Sequence, residues 1–257
     1  MGKINDLKDQ ALATLRGKWG SFVGLTFIYL LLISLAQVLS QYGTIFQGSS
    51  FTTLTAVFLA IGGILTIVMI PMQYGYYIAH LNASRQDLPA DIGDLFCGYR
   101  RFGDVFVTLF LQGLAIFGAM FLGAAFIGVI VGLGQMETHP VLFALIACVL
   151  MVPGFVLAIA YAVVPFVLHD RPELRPVEVL RESRMMMQGH KLEFFLLVLS
   201  FIGWAILAIL TFFIGYLWLA PYIQMTEVKF YEQLRAEYEG IADEGDDSAE
   251  EETVAVD

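Results

Sequence analysis

Five stretches of this chain, residues 22–40, 54–80, 105–134, 141–168 and 192–211, are apolar and almost free of charge. Nothing else in the sequence limits the possible folds so tightly. A helix rises 1.5 Å per residue, so about 20 residues cross a hydrocarbon core of about 30 Å. Inside that core every backbone N–H and C=O must find a partner within the protein. No segment alternates polar and apolar residues between turn signals, which argues against a β-barrel. The expected fold class is therefore all-α: a polytopic helical membrane protein. After a turn near Gly215 a shorter segment, 216 to about 231, returns through Trp218 and Pro221. It gives about six transmembrane helices; five is the alternative, with the fifth helix running out of the membrane.

Charge placement orients these spans. All 14 Lys and Arg fall in residues 1–18, 81–104, 169–191 or beyond 221, and the loops 41–53 and 135–140 contain none. Positive residues mark cytoplasmic loops. The expectation is a cytoplasmic N-terminus, and a cytoplasmic C-terminus if there are six crossings. The net charge of −10 is local: residues 237–257 hold ten acids and no Lys or Arg. Three parts follow: an N-terminal interfacial helix (1–18), a transmembrane helical domain (19–238) and an acidic tail (239–257). With little to bury, that tail is expected to be disordered.

Between the spans lie amphipathic segments. Ile4, Leu7, Ala11 and Leu15 recur at helical spacing, as do Ile92, Leu95, Phe96, Tyr99 and Phe102 after Pro89. A third such helix begins at Pro176 and carries Val177, Leu180 and Met187. Each is expected to lie on the membrane surface with its apolar face down. Two small-residue series, Ala115/Ala119/Gly123 and Ala124/Gly128/Gly132, suggest that the third span packs at the centre of the bundle. Cys97 and Cys148, in a loop and in mid-span, are expected to be free thiols.

Gly17, Gly103 and Gly189 recur at equal spacing, each between an amphipathic segment and a membrane entry, as threefold duplication of a helical hairpin would leave them. The closing stretch carries Gly189, Lys191, the run Ser200-Phe201-Ile202-Gly203-Trp204, Thr211, Gly215, Leu217-Trp218, Pro221-Tyr222, Thr226 and Phe230-Tyr231. With the opening Leu15-Arg16-Gly17-Lys18-Trp19, it resembles the bacterial integral-membrane family catalogued as domain of unknown function 975. The likeness covers residues 1 to about 238. It implies a multi-pass protein of the bacterial cytoplasmic (inner) membrane and supplies no reaction, ligand or site.

Chemistry is hard to find in this sequence. His80, His139, His169 and His190 are scattered, and no pair has zinc-ligand spacing. There is no phosphate-binding loop, dinucleotide fingerprint or nucleophile elbow, so no catalytic residue, metal or cofactor is assigned. Basic residues alternate with acids around the loops, a pattern suited to topology and lipid headgroups rather than nucleic acid. The candidate headgroup contacts are Arg181, Arg184 and Lys191, beside the fifth span. The spans lack the mid-membrane ionisable groups that ion-coupled transporters use. Their notable polar residues are Gln37, Gln73 and Gln112, which bond neighbouring helices or line a polar cavity. The functional expectation is a non-catalytic membrane component engaging lipids, protein partners or a second copy of itself. A small transporter or permease is the alternative, and an enzyme ranks third.

Overall fold

The computed structural model describes the backbone of residues 2–45, 53–132 and 140–254, and side chains over 2–38, 60–122 and 149–240. Every described element is helical: α1 Gly2–Leu15, α2 Trp19–Ile45, α3 Thr53–Gln86, a 3₁₀ helix Ile92–Arg101, α4 Phe102–Gly132, α5 Pro140–Ala160, α6 Val164–Asp170, α7 Pro176–Met186, α8 Lys191–Leu199, α9 Ile202–Leu210 and α10 Tyr216–Val254. Among the described residues five stretches are long and apolar enough to cross a membrane: Trp19–Val38, Ala60–Gln86, Ile92–Leu122, Val149–Asp170 and Lys191–Leu210. The expected sixth span is not among them. α10 does return, but only Tyr216–Ile223 is apolar, about 12 Å of helix against a core of about 30 Å. The uncharged loops lie largely outside the described residues, although α2 runs through Ile45.

The chain forms two compact units, Met1–Phe106 with Leu196–Asp257, and Val107–Phe195. In the first, α2 and α3 are held by a core of Leu25, Met72, Tyr76, Ala79 and Leu95. Within it Thr26 Oγ1 lies 3.0 Å from the Tyr76 hydroxyl, and Tyr29 stacks on Tyr76 at 4.4 Å. Pro71 lies inside α3 and donates no N–H, which leaves the Ile67 carbonyl without its helical donor. The 3₁₀ helix sits beside this proline. Its Tyr99 hydroxyl donates to the Val68 carbonyl at 2.7 Å. Two glycines permit the approach: a Cβ on Gly98 would stand 2.4 Å from the Pro71 oxygen, and one on Gly75 only 2.1 Å from the Leu95 oxygen. The expected surface helix is thus docked on α3 through Leu95 and Tyr99, leaving Ile92 and Phe96 exposed. Its three-residue turn divides the stripe that an α-helix would keep on one face.

α1 also departs from expectation. Leu7, Ala11 and Leu15 are buried, and α1 packs against α10. The stripe is real, but protein covers it rather than lipid. Polar residues gather at one end of this unit. Lys18 bridges Asp87 just beyond α3, and its Nζ donates to the Asp87 carbonyl at 2.7 Å. Arg85 lies 3.7 Å from Glu232, and Lys229 Nζ donates to Ser84 Oγ at 2.8 Å. The entry of α2, the exit of α3 and the polar part of α10 therefore share one end. α10 is helical as far as Val254. Glu and Ala, frequent there, are good helix formers, and this local preference needs no tertiary burial.

α9 and the start of α10 form a hairpin through 211–215. The tip is strained: Phe212 and Phe213 both take positive φ, 52° and 66°, a region that bulky L-residues avoid. Thr211 secures it, its Oγ1 donating to the Ala208 carbonyl at 2.8 Å and accepting the Gly215 N–H at 2.9 Å. Tyr216, where α10 begins, is within electrostatic range of Tyr29 and Tyr76. Tyr29 lies ten residues into α2, about 15 Å along its axis.

In the second unit the described part of α4 is little buried: Phe117, Phe121 and Leu122 are each more than 70% exposed. The side chains of Gly123, Ala124, Gly128 and Gly132 lie outside the described set. The small residue that matters is on α5: a Cβ on Gly154 would meet Met120 Cγ of α4 at 2.3 Å. The Tyr161 carbonyl accepts the Val164 N–H at 3.2 Å and Gln112 Nε2 at 3.1 Å. α7 starts with Pro176 and a Glu178 carboxylate that accepts the Arg175 N–H at 2.8 Å. It docks through Val179, Ser183 and Met186, and Ser183 Oγ donates to the Ala160 carbonyl at 3.0 Å.

The spaced glycines have a structural counterpart. Gly17 and Gly189 both take positive φ, 79° and 83°. The turns around them share two bonds: the Arg16 and Lys18 N–H groups meet the Ala13 and Leu15 carbonyls as those of Gln188 and His190 meet Met185 and Met187. Leu7, Ala11 and Leu15 are buried, and so are Val179, Ser183 and Met187, 172 residues later in each case. Gly103 differs, lying inside α4 without a positive φ.

Candidate functional site

Two of the three membrane glutamines line one cavity. Gln37 on α2 and Gln73 on α3 line a cavity of about 220 Å³ with Thr66, Ala36, Met69 and Ile70. Gln73 also hydrogen-bonds Tyr77 one turn on. Gln112 belongs to the other unit, where its amide donates to the Tyr161 carbonyl just beyond α5.

The three candidate cations have three different settings. Arg181 is exposed on the outer face of α7, between Val177, 66% exposed, and Met185, 38% exposed, each one helical turn away. Arg184 is committed to protein: its guanidinium donates to the Tyr161 hydroxyl and lies 5.4 Å from that ring. Lys191 is the first residue of α8, where a cation opposes the helix dipole and Glu193 in the same turn offsets it. Leu180 and Met187, expected to dip into the membrane, are buried in protein instead. The inner face of α7 also holds Glu182, paired with Arg171 at 3.1 Å. The reason is the same as for α1: a helical stripe states that a face is apolar and not what covers it.

A third site was not legible in the sequence. A groove of about 420 Å³ opens between α1, α2 and the α9–α10 hairpin. Trp19, Trp204 and Trp218, the only tryptophans of the chain, all line it, with Leu12, Thr211 and Tyr222 among the remaining walls. Trp204 and Trp218 are 55% and 49% exposed. At the rim, Lys8 Nζ donates to the Ser200 carbonyl at 3.3 Å and lies 4.3 Å from the centre of the Phe201 ring. That ring stands edge-on to Tyr222 at 5.1 Å. Desolvation lowers the Lys8 pKa from its usual value. The one available signal was weak: three aromatic residues far apart in sequence, each near a helix end.

Among the described residues no three His, Cys, Asp or Glu side chains come together to hold a metal. Cys97 is a half-buried free thiol, and the side chain of Cys148 lies outside the described set. No curated protein and no solved structure matches the chain. A family model described as a protein of unknown function, DUF975, matches residues 1–238, the whole of the helical body and none of the acidic tail beyond it. This chain belongs to the DUF975 family.

Proposed function

We propose that the protein is a non-catalytic, multi-pass component of the bacterial inner membrane, with its N-terminus in the cytoplasm, that engages anionic lipid headgroups. The outer face of α7 carries this reading. Arg181 is exposed there between two exposed apolar side chains, while the opposite face is fixed to protein through Ser183 and Glu182. A rigidly docked helix that turns a cation and apolar neighbours outward suits the headgroup region, where each Lys or Arg contributes roughly 1 kcal/mol near an anionic leaflet. Replacement of Arg181, Arg184 and Lys191 by Gln tests it. Arg171 and Arg175 remain to set orientation, and the purified variant retains less anionic lipid than wild type. Equal retention with orientation intact refutes the proposal.

In the same reading the polar end joining Lys18, Asp87, Arg85 and Glu232 faces the cytoplasm, and the α9–α10 hairpin enters from that side. Its tip lies at the depth of Tyr29, about half the thickness of a core of about 30 Å. The C-terminus then returns to the cytoplasm without a sixth crossing. A small transporter is the second reading, favoured by the cavity that Gln37 and Gln73 share. It requires cysteines placed at Ala36 and Ile70 to react with a membrane-impermeant maleimide from both sides in turn; reaction from one side alone excludes it.

A further inference from the structure

We propose that the tryptophan-lined groove is a binding site for one acyl chain of an anionic phospholipid, whose phosphate is met by Lys8. The inference deepens the lipid-engaging reading above and rests on a different part of the chain. Four observations carry it.

The lining is almost wholly apolar, and its volume of about 420 Å³ falls within the ~300–1,000 Å³ of ligand sites. All three tryptophans converge there from positions 19, 204 and 218. Indole rings favour the membrane–water boundary, where one edge meets hydrocarbon and the N–H meets polar groups. Trp19 stands at the entrance of α2, one residue from the Lys18–Asp87 bridge. The groove therefore begins at headgroup level. It descends along the hairpin toward Thr211 and Gly215, as an acyl chain does.

The groove is also built rather than incidental. Its far wall depends on the strained tip at Phe212 and Phe213, which Thr211 secures. At Gly215 a Cβ would come within 3.2 Å of Ala208 Cα, so the two arms approach as closely as glycine allows. Strain of this kind persists only where surrounding structure enforces it, and it concentrates at ligand clamps.

The charge at the mouth selects the headgroup. Lys8 lies one turn before the groove residue Leu12 on α1, and its ammonium sits over the ring of Phe201, which stands against the groove residue Tyr222. An ammonium has three donors. The Ser200 carbonyl takes one, leaving donors for a phosphate. Asp9, next on α1, is exposed and close enough to raise the Tyr222 hydroxyl's pKa. It works against any anion and offsets part of the attraction of Lys8.

Because every tryptophan lines the groove, intrinsic fluorescence reports on it without background. The protein is placed in phosphatidylcholine nanodiscs doped with phosphatidylglycerol bearing brominated chains, which quench indole on contact. Quenching is expected to saturate at a low mole fraction of brominated phosphatidylglycerol. Brominated phosphatidylcholine should require about fivefold more, the factor one juxtamembrane cation contributes. Lys8→Gln should abolish that difference. Ala208→Phe, which fills the groove, should reduce the quenching reached; circular dichroism confirms that it folds, and Lys8→Gln stands as a test if it does not. Quenching that rises in proportion to mole fraction, equally for both headgroups, means that the tryptophans only touch bulk lipid, and overturns the proposal. Absence of quenching overturns it too, and points to a protein partner or second copy in the groove. The triple change at Arg181, Arg184 and Lys191 should leave the saturation curve unaltered, so failure of the α7 reading and failure of this one are separable.

Discussion

Gly98→Ala places a methyl group where the 3₁₀ helix meets Pro71 of α3. Its carbon would lie 2.4 Å from the Pro71 oxygen and 3.1 Å from the Pro71 carbonyl carbon. A carbon approaches a carbonyl oxygen comfortably at about 3.3–3.6 Å, so the 3₁₀ helix must retreat by about 1 Å. Flexible side chains cannot absorb this, because the obstructing atoms are backbone. The same retreat stretches the 2.7 Å bond from Tyr99 to the Val68 carbonyl beyond hydrogen-bonding range. Overpacking of a tight contact costs about 1–3 kcal/mol, and the lost hydrogen bond adds about 1 kcal/mol. A total of roughly 2–4 kcal/mol corresponds to a drop in Tm on the order of 10 °C for a domain of this size. Thermal unfolding in detergent, followed by circular dichroism, measures it. Gly75→Ala strikes the other side of the same contact through the Leu95 oxygen, so the double variant should lose less than the sum of the two. Gly113→Ala is the control, since nothing lies within 4 Å of its added methyl; it should be neutral or stabilising by up to about 1 kcal/mol. A Gly98→Ala protein that melts with wild type refutes the packing argument.

Three further outcomes are expected. Arg184→Gln should lower Tm, because it removes a bond and a ring contact to Tyr161; Arg181→Gln, at an exposed position, should leave Tm unchanged, and equal losses would show that Arg181 is also a structural residue. Desolvation pushes the Glu227 carboxyl up to about 7, and the amide of Gln224, 3.3 Å away, offsets only part of this. The folded state then holds a proton that the unfolded state releases near pH 4.3, so stability falls as pH rises from there to about 7, and Glu227→Gln should flatten that slope in a Tm–pH series. A reporter active only in the cytoplasm, fused after Asp257, should give signal; signal from a periplasmic reporter alone would mean that the α9–α10 segment completes a crossing.

The settings of α1, α7 and the 3₁₀ helix show how far one-dimensional pattern reaches. Leu7, Ala11 and Leu15 were legible as one apolar face because helical periodicity is local. Their cover, α10, lies more than 200 residues away in sequence. Position on the membrane surface and burial against a helix leave the same stripe, since both exclude water. Gln37 and Gln73 sit on adjacent spans and line one cavity; Gln112 bonds instead to the Tyr161 carbonyl, which also accepts the Val164 N–H.

What the sequence determined by itself is therefore what depends on residue type and local spacing. It set the helical class, the five apolar stretches and the one-sided distribution of Lys and Arg. It also set the turns at Gly17 and Gly189, whose positive φ follows from the lack of a Cβ. Tertiary structure alone decided which faces meet. It put Gly98 on Pro71 and set the turn expected near Gly215 with its positive φ at Phe212 and Phe213 rather than at the glycine. It also brought three tryptophans into one groove. The division has one physical reason. Backbone conformation and transfer into lipid are properties of a residue and its near neighbours, whereas close packing depends on shapes and distances between segments that sequence order does not encode.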